Sequence, residues 1–405
     1  MALDARRVIA DLRELDRLTG GPDGARRLCW TAEWERARAF LRERLGEIEG
    51  VAVDHDEAGN LWASLPGEKD GAVAVGSHVD SVPNGGWLDG ALGVMAALEV
   101  MRAAASERER HAVTLVDFAD EEGARFGRSL FGSAAVAGTL DVQAVEGLRD
   151  AEGRSIREVL AEHGVDLDKA GAATARLEPL LAYLELHIEQ GPVLEHDGVA
   201  VAAVSGTFGL ERHSVLFEGQ SSHAGTTPID MRRDAALAAA RTALAVEQIA
   251  RRHGGVGTCG RIRLEPGIPT AVPGRAELLV DLRHAEAEPL ARMLAEARAA
   301  AREAADEREC TVGDSEVWRI EPIAFDERLV AAALEAGGTG RVLASGALHD
   351  AAEMARRLPA AMMFAPSTRG ISHAKEEDTP EADLEQAIDA FGRLALRVLR
   401  GEVLG

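Results

Sequence analysis

Cysteine is scarce in this chain. Only three of its 405 residues are cysteine, and Cys29, Cys259 and Cys310 are widely separated. A disulfide framework or a cysteine-ligated zinc site needs cysteines at paired spacings, which this sequence lacks. We therefore expect reduced thiols in a cytosol.

Positive charge is also in short supply. The chain has 45 lysines and arginines against 68 aspartates and glutamates, which gives a net charge of -23. Nucleic acids and anionic membranes bind basic surfaces, so this balance argues against either as a partner. It also favours solubility.

A continuous hydrophobic run is missing from the first 18 residues, where acids alternate with apolar side chains. Signal peptides and membrane spans both need such a run. We expect this segment to form the first helix of a cytoplasmic protein.

Internal repeats and long low-complexity linkers are not visible, and the chain exceeds the usual size of a single core, so two domains are expected. Up to about Val204, strands alternate with helices, a pattern typical of an α/β domain with a mainly parallel, buried sheet. From Phe208 the pattern changes to strands of alternating character and two helices, which predicts an α+β insert. The predicted division is a catalytic domain in two parts and one inserted domain: 1–205, 324–405 and 206–323.

One segment of the insert matches a nucleotide-binding pattern. Residues 255–260, GVGTCG, fit GxGxxG. They lie between a predicted helix at 231–252 and a strand-like run at 261–264, whereas the dinucleotide fingerprint requires a strand before and a helix after. We therefore predict a flexible loop that lets the chain turn.

The first strand of interest carries a histidine and an acid at its end. The run 72–76 predicts a short buried strand, which is followed by His78 and Asp80. Two residues apart, these side chains share one face, so the Asp80 carboxylate is expected to accept the second ring N–H of His78. A Pro-Asn-Gly-Gly turn then delivers Asp89 to the start of a helical stretch at 91–101.

A second apolar run, 112–118, predicts another buried strand, and an acidic cluster that includes Glu121 and Glu122 follows it. A solvated acidic loop is the commoner fate of such a cluster. Here two adjacent carboxylates can point in different directions, one to a metal ion and one to a water molecule. Hydrolysis needs that division of labour.

A third run, 180–186, ends in His187. A lone histidine after a strand is more often a structural residue than a ligand, but three strand ends that bear acids or histidines in one chain favour a shared site. Imidazole and carboxylate hold zinc, manganese or cobalt, and a carboxylate can bridge two ions. The residues that could form a two-metal hydrolytic site are His78, Asp89, Glu121, Glu122, His187 and His373.

Six segments together resemble the M20 metallopeptidase superfamily. Within it they resemble the amidase, hydantoinase and carbamoylase branch, which includes N-carbamoyl-L-amino-acid hydrolases, allantoate amidohydrolases and β-ureidopropionases. HIEQGP and HAGTTP distinguish this branch from ordinary M20 peptidases. The segments are GSHVDSVPNGGWLDGALGV (76–94), DEEGARFG (120–127), FGSAAVAG (131–138), HIEQGPVLE (187–195), GQSSHAGTTPIDMRRDA (219–235) and GISHAKEED (370–378).

The resemblance implies a zinc-exopeptidase-like catalytic domain, with its sheet between helices. It also implies that the insert is a lid that forms a homodimer. Two divalent ions per chain, zinc, manganese or cobalt, would be held by ligand sets that share Asp89, and Glu121 would be the general base. The implied sets are His78, Asp89 and His187 for one ion, and Asp89, Glu122 and His373 for the other.

The resemblance assigns roles to further residues. His223 would donate a hydrogen bond to the tetrahedral oxyanion, although it can also be an ordinary turn histidine. Arg283 would hold a substrate carboxylate, a task that suits its planar fork. Gln190 either contacts substrate or only holds its loop.

Two positions depart from the branch pattern. Thr270 stands where asparagine usually helps to grip the carboxylate end of the substrate, and a hydroxyl offers fewer hydrogen bonds than an amide. Leu348 stands where glycine is usual, which adds bulk beside His349, itself a candidate substrate contact. Either change can mark a different substrate.

The sequence thus predicts a dinuclear metal amidohydrolase that cleaves the carbamoyl C–N bond of an N-carbamoyl-L-amino acid or a similar ureido carboxylate. Allantoate hydrolysis uses the same machinery. An aminoacylase or dipeptidase would keep the metals but bind an acyl or peptidyl group. A non-catalytic binding protein would have lost a ligand or the base, and this chain has kept them all.

Overall fold

The computed structural model describes residues 3–106 and 109–404. The predicted first helix is present and begins at Ala5, while Met1 and Ala2 lie outside the described residues. The strands are β1 Gly20–Gly21, β2 Gly24–Ala25, β3 Ala52–His55, β4 Leu61–Leu65, β5 Ala72–His78, β6 Ala112–Phe118, β7 Leu180–Ile188, β8 Ala202–Thr207, β9 Gly209–Glu218, β10 Ser222–His223, β11 Val256–Glu265, β12 Ala271–Val272, β13 Arg275–His284, β14 Thr311–Ile320, β15 Ile323–Ala324, β16 Val342–Ser345 and β17 Ala360–Ala365.

Helices connect most of these strands, which gives the alternation that the sequence indicated. The α-helices are α1 Ala5–Thr19, α2 Ala32–Gly46, α3 Ala91–Ser106, α4 Phe131–Ala137, α5 Val142–Val145, α6 Ile156–Glu162, α7 Val193–Asp197, α8 Ala235–His253, α9 Ala287–Asp306, α10 Glu327–Gly337, α11 Asp350–Ala355 and α12 Glu381–Leu399. Short 3-10 helices lie at Ala170–Leu177, Ile229–Met231 and Thr368–Gly370.

The chain divides into two compact units. The larger unit consists of the residues up to Gly206 together with those from Phe325 onward, and the smaller unit is Thr207–Ala324. The smaller unit is therefore an insertion in the sequence of the larger one, and below it is called the insert.

The larger unit is built on a mixed sheet with the strand order β8–β17–β7–β5–β6–β4–β3, and β16 also pairs with β8. Its centre is parallel, since β17 runs with β7, and β5 runs with both β7 and β6. Helices α3 and α12 pack against these strands, as do α10 and α11. A sheet covered on both faces buries every side chain, which explains why β5 and β6 are continuous apolar runs in the sequence. The predicted α/β fold is confirmed.

The insert has a different sheet, fully antiparallel, with the order β11–β13–β9–β14. Burial alternates along β13, because its even-numbered residues face α8 and α9 while its odd-numbered residues face away from them. Asp234 caps α8 by accepting hydrogen bonds from the amides of Ala236 and Leu237, and Gly254, in the left-handed conformation, ends it.

The prediction of a flexible loop at 255–260 is wrong. Only the turn at Gly254 and Gly255 precedes the strand, and β11 begins at Val256. The segment pairs with β13 from Val256 onward, with an irregularity in the register between Cys259 and Arg261. Gly257 reflects close packing instead, because a side chain there would crowd Ala250 and Val246 of α8.

Among the described residues, no helix combines the length and the apolar character that crossing a membrane requires.

Candidate metal centre and active site

The predicted ligands converge because the strands that carry them are parallel. Parallel strands bring their carboxyl ends to one edge of a sheet, where ligands of α/β proteins bind. His78 is the last residue of β5, His187 lies near the end of β7, and Glu122 follows β6. The loop after β17 supplies His373, and Asp89 lies just before α3.

Two groups of three potential ligands share one carboxylate. In each group, ligand atoms lie within 4.8 Å of one another: His78, Asp89 and His187 form one, and Asp89, Glu122 and His373 form the other. These are the two sets that the resemblance implied.

The two carboxylate oxygens of Asp89 point to different histidines. Its Oδ1 lies 3.2 Å from Nε2 of His187, and its Oδ2 lies 3.3 Å from Nε2 of His373. Ligand atoms about 2.1 Å from a tetrahedral ion are about 3.4 Å apart, so these separations fit ions held between the side chains. Asp89 has the geometry of a bridge.

Backbone carbonyls fix the orientation of two imidazoles. Nδ1 of His78 lies 3.1 Å from the carbonyl oxygen of Asp80, and Nδ1 of His187 lies 2.9 Å from that of Ile188. A ring that donates from Nδ1 turns the lone pair of Nε2 toward a metal. In both rings Nε2 faces an acid of the centre, Glu121 at 3.5 Å and Asp89 at 3.2 Å.

The predicted partner of His78 needs a correction. The Asp80 carboxylate was expected to accept the ring N–H, but its Oδ1 lies 3.6 Å from Nδ1, farther than the carbonyl of the same residue. The carboxylate instead accepts the backbone N–H groups of Glu121 and Glu122, at 3.3 and 3.2 Å. The left-handed backbone of Asp120 turns both amides toward it. Asp80 therefore positions the acidic loop.

Glu121 and Glu122 face the centre from adjacent positions. Oε2 of Glu122 lies 3.5 Å from Nε2 of His373, whereas Oε2 of Glu121 lies 3.5 Å from Nε2 of His78. Burial raises the pKa of Glu121 well above its ordinary value, and Asp350 and Glu122 add to the effect. Burial and Asp89 raise the pKa of Glu122 to about 7.

The raised pKa values of two histidines reflect the same excess of negative charge. The hydrogen bond to Asp89 raises the pKa of His373 to about 9. Burial opposes a similar rise at His187, but Asp89 outweighs it and the pKa again reaches about 9. His78 is different, because burial lowers its pKa to about 3. Carboxyls that repel one another in a buried space create the potential that bound cations neutralise, so the donor set fits two divalent ions.

Gln190 holds its loop and also reaches the centre. Its backbone N–H donates to Oγ of Ser367 at 3.0 Å. Its side-chain amide donates to Oδ2 of Asp89 and to Oγ of Ser372, both at 3.0 Å. Gln190 and His373 have left-handed backbones, with φ of 57° and 55°. Strain of this kind costs about 1–3 kcal/mol per residue and concentrates at functional sites.

His349 packs against His187. The residue is buried, its ring centroid is 4.4 Å from that of His187, and its Nε2 lies 2.9 Å from Oγ of Ser345. Burial holds its pKa well below the ordinary value, so the ring is neutral. These contacts give His349 a supporting position against His187.

The remaining predicted residues lie in the insert. His223 is exposed, and its Nδ1 accepts a hydrogen bond from the amide of Gly225 at 3.1 Å. The carbonyl of Thr270 accepts one from Ala224 at 2.9 Å, which places Thr270 beside the His223 turn. Nε of Arg283 lies 2.8 Å from Oδ1 of Asp281, on the sheet face away from the helices.

The profile of peptidase family M20/M25/M40 matches residues 74–397. The chain belongs to this family. As the sequence predicted, it is a hydrolase of carbon–nitrogen bonds.

Relatives place the chain within one branch of M20. It is 36% identical over 410 residues to the N-carbamoyl-L-amino acid amidohydrolase of Geobacillus stearothermophilus, with 99% of this chain and 100% of the relative covered. It is 33% identical over 388 residues to the allantoate amidohydrolase of Bacillus subtilis strain 168, with 93% of each covered. A crystal structure of an amidase of the hydantoinase/carbamoylase family from Burkholderia multivorans superposes with a TM-score of 0.88 at 31% identity, covering 100% of this chain and 99% of that one. The resemblance seen in the motifs is confirmed.

The M20 centre contains an acid that the sequence analysis missed. Oε1 of Glu377 accepts the amide of Asp89 at 3.0 Å, and Oε2 accepts the hydroxyl of Ser372 at 3.2 Å and the amide of His373 at 3.3 Å. Glu377 thus ties the backbone of Asp89 to the loop that carries Ser372 and His373. The feature of the sequence that could have indicated this role is the position of Glu377, four residues after His373.

A glycine was missed as well. Gly90 follows Asp89 with a φ of 63°, and a side chain there would overlap the His78 ring. Only glycine allows this approach of backbone to ligand. The turn therefore brings Asp89 and His78 into one group.

Proposed function

We propose that this chain is a dinuclear metal-dependent amidohydrolase that cleaves the carbamoyl C–N bond of N-carbamoyl-L-amino acids or a similar small ureido carboxylate. The observation that carries the proposal is the pair of ligand groups that share Asp89, with Glu121 beside them but in neither group. That arrangement supports two ions and leaves one carboxylate for proton transfer.

The ligands would be His78, Asp89 and His187 for one ion, and Asp89, Glu122 and His373 for the other. When bound, zinc, manganese or cobalt would supply positive charge that polarises the carbamoyl oxygen and acidifies water. Glu121 would take the proton from the attacking water and return it to the leaving nitrogen. An N-carbamoyl amino acid would give the free amino acid, carbon dioxide and ammonia.

His223 suits the task of binding the oxyanion because of its tautomer. Its Nδ1 accepts a hydrogen bond from Gly225, so a neutral ring carries its proton on Nε2. An exposed Nε2–H is a donor available to a negatively charged oxygen. We propose that the insert acts as a lid that brings this donor to the substrate and that also forms a homodimer. Size-exclusion chromatography with light scattering tests the dimer.

The test of the function is ammonia release by the full chain loaded with manganese, cobalt or zinc. We expect turnover of N-carbamoyl-L-amino acids and assay N-carbamoyl-β-alanine and allantoate in parallel. N-acetyl amino acids and dipeptides, followed by amine release, serve as controls. Turnover of the control substrates but of no ureido substrate would assign an aminoacylase or dipeptidase instead. No turnover of any compound would favour a binding protein.

Allantoate is the second candidate substrate. The relative from Bacillus subtilis named for that activity is 33% identical, close to the 36% of the carbamoyl amino acid relative. Thr270 and Leu348 depart from the branch pattern and belong to the residues that we expect to decide between the two. If Thr270→Asn changes the ratio of kcat/KM for the two substrates, this position takes part in substrate choice.

We expect Arg283→Ala to raise KM about 10- to 100-fold for carboxylate substrates, because a charge-assisted hydrogen bond to the carboxylate is lost. Arg261→Ala is the matched control, since this arginine lies on the neighbouring strand β11 and pairs with Glu277. Steady-state kinetics with a substrate and its carboxamide analogue measure the effect. A KM that is unchanged for the acid would place Arg283 outside the substrate site.

A further inference from the structure

The insert contains a cavity that the proposed reaction does not use. It has a volume of about 390 Å³ and lies between the sheet and α9. Its apolar lining includes Val215 and Val280 from the sheet and Leu294 from the helix. Sites for small molecules in proteins have about this size and character.

Small residues explain why the space is open. Helix α9 turns Ala297 and Ala301 toward the cavity, and Gly313 of β14 lines the opposite side. Arg302 and Gly313 are exposed, so the cavity opens to solvent and a small molecule can enter it.

A buried histidine faces the cavity between two acids. His213 is 1% exposed and lines the space, and its Nε2 bonds to Oε2 of Glu211 at 3.0 Å. Its Nδ1 lies 3.1 Å from Oδ1 of Asp314, in an ion-pair contact that is not aligned as a hydrogen bond.

The charges around the cavity favour an anion. Arg298 and Arg302 line it, against a single acid, Asp314. Arg298 already pairs with Asp314 at 2.7 Å, whereas Arg302 forms no ion pair within the described ranges. Arg302 therefore offers an uncommitted planar fork of the kind that binds carboxylates.

A metal ion is the less suitable occupant. Glu211, His213 and Glu316 have ligand atoms within 4.8 Å of one another, but Nε of Arg319 lies 3.1 Å from Oε1 of Glu211. The guanidinium of Arg319 already neutralises Glu211, so this group needs no metal ion to balance its charge.

We propose that this cavity binds a small carboxylate that carries an aliphatic group. Arg302 holds the carboxylate, His213 lies beside it, and the aliphatic group fills the space among Val215, Val280 and Leu294. Free short-chain acids and apolar amino acids share this chemistry, so the experiment has to separate the two sources.

Isothermal titration calorimetry of the metal-loaded full chain tests the site with three probes that share one branched aliphatic group. These probes are 4-methylpentanoate, L-leucine and 3-methylbutylamine. We expect 4-methylpentanoate to bind. If L-leucine also binds, the natural ligand is an apolar amino acid. If L-leucine does not bind, the natural ligand is a simple short-chain acid. Absence of 4-methylpentanoate binding, or equal binding of the amine, would overturn the proposal.

Variants place the binding in the cavity. We expect Arg302→Gln, a change at an exposed position, to weaken 4-methylpentanoate at least about tenfold through loss of the charge-assisted bond. Ala301→Leu should abolish binding by filling the space. Arg292→Gln, on the same helix but paired with Glu288, is the matched control and should bind like wild type. Unchanged affinity of Arg302→Gln, or loss of affinity in Arg283→Ala instead, would show that the acid binds elsewhere.

Discussion

Replacing Asp89 with alanine is expected to remove both metal ions at once. The two oxygens of this carboxylate face His187 and His373, at 3.2 and 3.3 Å, so each ligand group loses one of its three members. Protein sites for such ions use at least three protein ligands, and two are too few to compete with water. We expect metal content to fall from two ions to well below one per chain, with turnover lost.

Two single-site variants give the matched control. His78 and His373 each belong to one of these two ligand groups only. The variants His78→Ala and His373→Ala should therefore each lose mainly one ion. Inductively coupled plasma mass spectrometry after dialysis against a defined metal concentration measures the difference. A second readout is the rise in Tm on adding metal, which by mass action is larger when more sites remain to bind metal. An Asp89→Ala protein that still holds two ions would disprove the bridge.

Much of the fold and the centre could be predicted because both rest on short-range patterns. The continuous apolar runs 72–76 and 112–118 mark strands buried on both faces, and they correspond to β5 and β6. Parallel strands then place whatever follows them at one edge. This rule alone brings His78, Glu122 and His187 into one region.

The parts that escaped prediction depend on contacts between distant segments. Glu377 holds the backbone of Asp89, 288 residues away in sequence. Gln190 reaches Asp89 and Ser372 through a left-handed backbone at a residue other than glycine, which no local pattern announces. Such a conformation persists because the surrounding structure holds it.

The error about Asp80 has the same origin. A spacing of two along a strand puts His78 and Asp80 on one face only while the strand continues, and β5 ends at His78. Beyond that point the carbonyl of Asp80 meets the ring, and its carboxylate is left for the amides of Glu121 and Glu122. Periodicity is therefore least informative at strand ends, where this centre is built.

The unexpected task of Asp80 bears on the general base. Its carboxylate holds the backbone of both acids, while their side chains diverge, with Glu121 toward His78 and Glu122 toward His373. Under the proposed function, one turn of chain would thus supply a ligand to one group and a carboxylate to the reaction. The two roles should separate on mutation.

Glu121→Gln is expected to lower kcat about 10²- to 10⁴-fold, because an amide of the same shape cannot accept the proton of water. Metal content should stay at two ions, since Glu121 belongs to neither ligand group. The neighbouring change Glu122→Gln should instead reduce metal content, and Glu57→Gln, at an exposed acid, should change neither quantity. Metal analysis and steady-state kinetics on the same preparations measure both quantities.

The burial of Glu121 predicts how kcat/KM depends on pH. Burial and the neighbouring acids Asp350 and Glu122 hold the pKa of Glu121 above its ordinary value, whereas nearby cations lower it. If Glu121 is the base, kcat/KM of the metal-loaded wild type falls as pH drops through that pKa, and Glu121→Gln loses this acidic limb. Retained turnover with an unaltered acidic limb would remove Glu121 from the reaction and assign proton transfer to another group of the centre.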